Sequence, residues 1–182
     1  MKGDQKTTNF VRPPMIEIEE CRSCNSNNLT TILPFGETPI ADKLLKENQL
    51  SLPEYRAPLT LAHCADCGLA QILETVPPEV LFGGDYPYYS SVSPALMKHF
   101  SESALTLISE RRLDEESLVV EAASNDGYML DVFQKSNIPV LGIDPASGPA
   151  EVAKEKGIET LNTFFELSLA QKLAADGQRA DV

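Results

Sequence analysis

Four cysteines are the chain's whole complement of thiols, and they come as two pairs: Cys21 and Cys24 in "CRSC", Cys64 and Cys67 in "CADC". A zinc ion takes four soft or borderline ligands at tetrahedral corners. A C-x-x-C turn supplies two of them, because its backbone amides fold toward both sulfurs, and two such turns close a site with no open position. Residues 25–63 separate the pairs. That gap is wider than the commonest spacing, but the cost of closing a loop grows only logarithmically with its length. Zinc on Cys21, Cys24, Cys64 and Cys67 is the preferred reading. The alternatives are four buried reduced cysteines, or a redox pair, which would be expected beside a βαβ strand. A closed shell makes the metal structural, and in so Pro-rich a segment it would supply on the order of 10 kcal/mol of folding free energy. His63 directly precedes Cys64 and is read as lying outside the completed shell.

A second stretch, "VVEAASNDGYML" at residues 119–130, has the order of a ligand loop: β-branched lead-in, acidic residue, small polar run, helix start. Ligands of doubly wound sheets lie outside the carboxyl ends of the strands, where this loop falls. A dinucleotide loop needs several glycines around its pyrophosphate. Here Gly127 is the only one, with Ala123, Asn125 and Tyr128 where that fingerprint tolerates little, so NAD fits poorly. S-adenosylmethionine (SAM) carries no pyrophosphate and two cationic centres. Glu121 has the charge for its ammonium. Asp144, in "GIDP" about twenty residues further on, stands where an acid accepts the ribose hydroxyls. Another nucleotide ligand, or a turn that binds nothing, remains open on these residues alone.

The elements that must position these residues fall into two halves. Residues 1–14 read as a loosely held arm. Residues 15–80 carry the cysteines; "APLTLAHC" and "GLAQILETV" read as strand, knuckle, strand, and "PIADKLL" as a loop or short helix. Residues 81–114 are a linker and helix: "PPEVLFGGDYPYYSS" is too rich in Pro and Gly for regular structure, then Ser93 caps a helix with Pro94 at its first position and Leu96, Phe100, Ala104 and Ile108 on one stripe. His99 falls on the exposed side. From residue 115 to 182 short apolar strands alternate with helices: "SLVVEA", "YMLDVFQKS", "IPVLGID", "PAEVAKEKG", "IETLN", "ELSLAQKLAADG". That alternation means βαβ units, a parallel sheet and the first half of a doubly wound domain. "ADV" reads as the start of a fourth strand, so the chain is expected to be a fragment. The fold class is α/β, a partial doubly wound sheet preceded by a small zinc-binding β domain.

The formal net charge is -12 and the pI about 4.5. So acidic a chain has no general attraction for nucleic acid or anionic membranes. The opening residues lack a secretory h-region, and no apolar run approaches a membrane span, so a cytoplasmic protein is expected.

Taken together, the cysteine pairs, "PIADKLL", "HCADCGLAQ", "DYPYYSS", "VEAASNDGYML" and "GIDPA" resemble the nucleotide-sugar C-methyltransferases, SAM-dependent enzymes with an N-terminal zinc-binding domain. The resemblance covers residues 18–182 and implies a Rossmann-like class I methyltransferase domain over 115–182. It places the zinc on Cys21, Cys24, Cys64 and Cys67. It implies that Ala123, Ser124, Asn125, Asp126 and Gly127 form the SAM loop with Asp144 on the ribose. Tyr88 and Ser91 then lie near the cofactor and Tyr86 near the substrate, a nucleotide-linked deoxy-keto-sugar methylated beside its ketone. The family's candidate catalytic His, Tyr and Glu have no counterpart here. No catalytic residue is therefore assigned, and the 182 residues alone are expected to be catalytically silent. A zinc-stabilised interaction module and an NAD-dependent sugar enzyme are the competing readings.

Overall fold

In the computed structural model, which describes residues 10–83 and 86–182, the chain divides into a unit ending at Leu81 and a second unit, Phe82–Val182. The first is built on β4 (Glu54–Cys64). Antiparallel β3 (Leu29–Pro39) runs along one edge, with Leu29 opposite Cys64 and Pro39 opposite Arg56. The other edge is shared: β1 (Phe10–Val11) pairs in parallel with Glu54 and Tyr55, and β5 (Ala70–Ile72) pairs antiparallel with residues 61–63. The β4–β5 pair is the hairpin expected around the second cysteine pair. A separate two-stranded ladder joins β2 (Ile16–Glu17) to β6 (Glu74–Thr75).

Three features up to Val92 differ from the sequence reading. The sequence reading assigned no element to β3, whose run holds Pro34 and Gly36. The ladder keeps them by shifting register between Thr31 and Leu33 and again between Pro34 and Gly36, and Gly36 takes a φ of +76°. Such bulges let an edge strand carry residues a regular ladder rejects. Of the arm expected over 1–14, residues 1–9 lie outside the described residues. Its described end is tied in: Phe10 and Val11 pair with β4, and Arg12 contacts Glu37 on β3. The Pro- and Gly-rich stretch is not devoid of regular structure either, since it holds α1 (Pro78–Leu81) and a 3-10 turn at Ser90–Val92; its Gly84 and Asp85 lie outside the described residues. Pro78 opens α1, where its missing N–H has no helical partner to lose. "PIADKLL" is loop beyond Pro39, with a 3-10 turn following at Glu47–Gln49.

In the second unit α2 (Pro94–Arg111) begins as the sequence implies: the Ser93 side chain accepts the Leu96 N–H, and Pro94 stands in the first turn. Then β7 (Val119–Ala122), α3 (Leu130–Lys135), β8 (Val140–Ile143), α4 (Ser147–Glu155), β9 (Thr160–Leu161) and α5 (Leu167–Ala175) alternate. The three strands form a parallel sheet in the order β7-β8-β9. On the outer edge of β7, the Asp181 N–H bonds to the Leu118 carbonyl and the Val120 N–H to the Val182 carbonyl.

Alternation along β7 and β8 sends successive residues to opposite faces. On one face Val119 packs with Leu130, Phe133 and Ile138 from the α3 region, Ala104 of α2 and Ala153 of α4. On the other, Leu141 and Ile143 meet Leu173 of α5. The second unit is therefore a mixed α/β layer arrangement around a parallel sheet. Among the described residues no helix is long and apolar enough to cross a membrane. Phe133 is 1% exposed at the centre of the larger cluster. Phe133→Ala is expected to destabilise the second unit by about 3–5 kcal/mol in denaturant melts, leaving zinc content unchanged.

Candidate functional site

The two cysteine knuckles are built alike. In the first, the Asn25 N–H donates to the Cys21 carbonyl at 2.9 Å and the Cys21 N–H to the Ser26 carbonyl at 2.8 Å. In the second, the Gly68 N–H donates to the Cys64 carbonyl at 2.9 Å and the Cys64 N–H to the Leu69 carbonyl at 2.9 Å. The residue after each second cysteine is left-handed, Asn25 at φ +59° and Gly68 at +80°. Asn tolerates that conformation and Gly adopts it without strain. The knuckles are stapled together: Asp66 accepts the Ser26 hydroxyl and, at 2.9 Å, the Asn28 amide, while the Arg22 N–H reaches the buried Gln71 side chain at 3.0 Å.

All four Sγ atoms lie within 4.8 Å of one another, with Cys21–Cys67 at 3.5 Å and Cys24–Cys64 at 3.6 Å. A tetrahedron of Zn–S bonds has S···S edges of about 3.8 Å, so the donor set fits zinc. The sulfurs are electrostatically unequal. The N–H groups of Cys24 and Ser23 pull the Cys21 thiol down to about 6. The Ser26 N–H pulls Cys24 the same way, but desolvation and the three neighbouring sulfurs outweigh it and push that thiol up to about 12. Metal must displace the remaining protons on binding. His63, on β4, is not one of the four ligands. Elemental analysis is expected to give one zinc per chain, and Cys64→Ser to lower zinc affinity by about a hundredfold or more.

The loop after β7 is the second candidate. It is left-handed at Ala123 (φ +61°), Asn125 (+49°) and Gly127 (+72°). A Cβ on Gly127 would come within 2.4 Å of the Ile158 side chain, so both the left-handed φ and the close packing favour glycine there. Ser124 is fully buried; a Cβ on Gly142 would lie 2.6 Å from its hydroxyl, which therefore packs beneath the loop on β8. Asn125 and Asp126 hold the segment before α2: the Ser90 N–H donates to Asn125 Oδ1 at 2.8 Å, Asn125 Nδ2 donates to the Tyr88 carbonyl at 3.0 Å, and the Ser91 N–H donates to Asp126 Oδ1 at 3.3 Å. Asp144 is buried too, with Oδ2 accepting the Asn125 N–H and Oδ1 the Ala146 N–H, both at 2.8 Å.

The sequence-derived residues are thus largely brought together. Glu121, residues 123–127 and Asp144 form one neighbourhood, and Tyr88 and Ser91 join it through their main chains. Tyr88 itself is 43% exposed. Tyr86 packs its ring against Phe82 at 5.8 Å. His99 is exposed and stacks edge-on with Phe100 at 5.1 Å.

Glu121 differs from the other acids. Its Oε2 is buried without a hydrogen-bond partner, and its carboxyl is pushed up to about 7 by burial and by the neighbouring Asp144, against the pull of the Tyr128 hydroxyl. Tyr128 itself lies edge-on to Phe100 at 4.8 Å. Sequence reasoning assigned no role to Tyr128, or to Lys156, whose ammonium donates to Asp126 Oδ2 at 3.1 Å and to the Asp126 carbonyl at 2.8 Å. The only local signal for Lys156 is a cation at the end of a helix.

A carboxyl raised in the folded state binds more protons there than in the unfolded chain between the two pKa values. Stability of the second unit should therefore be greatest below pH 4.5 as far as this group is concerned, fall as pH rises to about 7, and level off above. The loss should reach about 3 kcal/mol, and Glu121→Gln should flatten that slope in denaturant melts at stepped pH.

Comparison with known proteins bears on both candidates. Residues 21–82 match a family described as "Putative zinc binding domain". Over 165 residues, 91% of the chain, the sequence is 32% identical to C-methyltransferase NovU of Streptomyces niveus, and the matched portion is that protein's N-terminal part. The match covers 38% of the relative, so the chain spans well under half of its length.

Proposed function

From this kinship with the N-terminal part of a C-methyltransferase, we propose that the second unit holds SAM in a Rossmann-like class I methyltransferase fold. The observation that carries the reading is Glu121 Oε2, a buried carboxylate oxygen with no partner. It stands near the carboxyl end of β7, where open parallel sheets take their ligands. A buried acid in need of a counter-charge suits a ligand bearing an ammonium and repels a pyrophosphate.

Asp144 is the ribose acceptor in this reading. Each of its oxygens takes one backbone N–H and keeps a lone pair for one of two vicinal hydroxyls. Ala123, Ser124, Asn125, Asp126 and Gly127 form the wall of the site, Tyr88 and Ser91 border it, and Tyr86 lies on the substrate side. SAM supplies a methyl group made electrophilic by its sulfonium. In the whole protein, acting in the cytoplasm, that methyl passes to the carbon beside the ketone of a nucleotide-linked deoxy-keto-sugar. The zinc unit is a scaffold without a chemical step, and none of these 182 residues is assigned as the base that takes the substrate's proton.

Calorimetry with the purified chain tests the cofactor assignment. SAM and its demethylated product should each bind once per chain, and NAD should not. Glu121→Gln and Asp144→Ala should each weaken binding by about tenfold or more, the magnitude of one charge-assisted hydrogen bond. Tighter binding of NAD than of SAM would overturn the reading.

A further inference from the structure

Three acids surround the loop after β7, and their surroundings divide them by task. Asp144 spends an acceptor site of each oxygen on backbone N–H groups. Asp126, 1% exposed, gives Oδ1 to the Ser91 N–H and Oδ2 to Lys156. Glu121 alone of the three keeps a buried oxygen with no partner. We propose that Lys156 is a positioning residue for this site: its ammonium pins Asp126, and Asp126 and its neighbour Asn125 seat residues 88–91 on the loop.

Exposed ion pairs contribute little, but this pair is not of that kind. The Lys156 side chain is 36% exposed and its partner 1%. The ammonium also grips two oxygens of the same residue, one on the side chain and one on the main chain, which fixes both the rotamer and the peptide plane of Asp126. Without Lys156, Asp126 would be a buried carboxylate holding only one N–H, and such a charge either takes up a proton or swings toward water. Either response loosens the Ser91 contact. The Tyr88 and Ser90 contacts made by Asn125, the adjoining residue, would follow, because all three close the same segment onto the same turn. Tyr89, in the middle of that segment, lies on the first turn of α4, where a Cβ on Gly148 would meet its hydroxyl at 2.7 Å. Lys156 stands just beyond the other end of α4. The segment is therefore clasped from both ends of one helix, and the side chain of Lys156 is the ionic clasp.

The functional part of this inference rests on the SAM reading above; the seating of residues 88–91 does not. Amide hydrogen exchange and SAM calorimetry on Lys156→Met and Lys156→Arg test the two separately. In Lys156→Met the Ser90 and Ser91 amides should exchange about tenfold faster relative to the Leu141 and Ile143 amides of β8, SAM should bind about tenfold more weakly, and zinc content should not change. Lys156→Arg should restore both to within about threefold. Should the Met variant fail to fold, Lys156→Gln, which keeps a donor without the charge, should show the same selective exchange. Unchanged Ser90 and Ser91 amides, or a loosening that β8 shares equally, would overturn the proposal. Selective loosening with SAM affinity intact would overturn its functional half. A wild-type chain that takes up no SAM would instead remove the cofactor reading, leaving the exchange comparison to decide the clasp.

Discussion

Negative charge crowded together in need of a counter-charge is the constraint around which both units are built. The first unit gathers four sulfurs within 4.8 Å, an arrangement that thiolates sustain only around a cation. The second sets Glu121, Asp126 and Asp144 about one turn. In each case the surrounding backbone does part of the neutralising work: knuckle N–H groups turn toward sulfur, and the N–H groups of Asn125, Ala146 and Ser91 turn toward carboxylates. What remains is handed to a metal in one unit and to Lys156 in the other. For a chain of net charge -12 this local provision matters, because its general field offers nothing to an anion and attracts every cation alike.

The glycine at Gly127 shows how the same turn combines shape with charge. Its left-handed φ and its contact distance to Ile158 leave no room for a side chain, so the chain drops directly from β7 onto α3. Ser124 sinks onto Gly142 of β8 for the same reason: two small residues meet where a larger pair would hold the loop off the sheet. Two buried oxygens at this turn lack a partner, the Ser124 hydroxyl and Glu121 Oε2, and the second is the acidic one.

Features encoded within a few residues were legible in the sequence. The paired cysteines, the Ser93–Pro94 helix start and the strand–helix alternation after residue 118 each announce themselves by local spacing, and the structure has all three. β3 was not legible, because its strand character comes from nine residues paired with β4 across two register shifts and not from any alternation that survives Pro34 and Gly36. The work of Asp126 was hidden for a different reason. Its side-chain partners lie 35 residues upstream, at Ser91, and 30 downstream, at Lys156, distances over which no periodicity carries information. A buried carboxylate looks the same in a sequence whether it awaits a ligand or is already spoken for.

The near-identical knuckles have a consequence for how the two units respond to their surroundings. One sulfur turn sits at the end of β4 and the other just ahead of β3, the two strands that form the longest ladder in the first unit. Ion uptake thus closes the ladder at one end, and by mass action the unfolding free energy of that unit rises with the logarithm of free zinc. The second unit, with its own apolar core and an internal lysine in place of a metal, has no such dependence. One polypeptide therefore carries two stabilities, one set by its covalent sequence and the other by the metal supply of the solution around it.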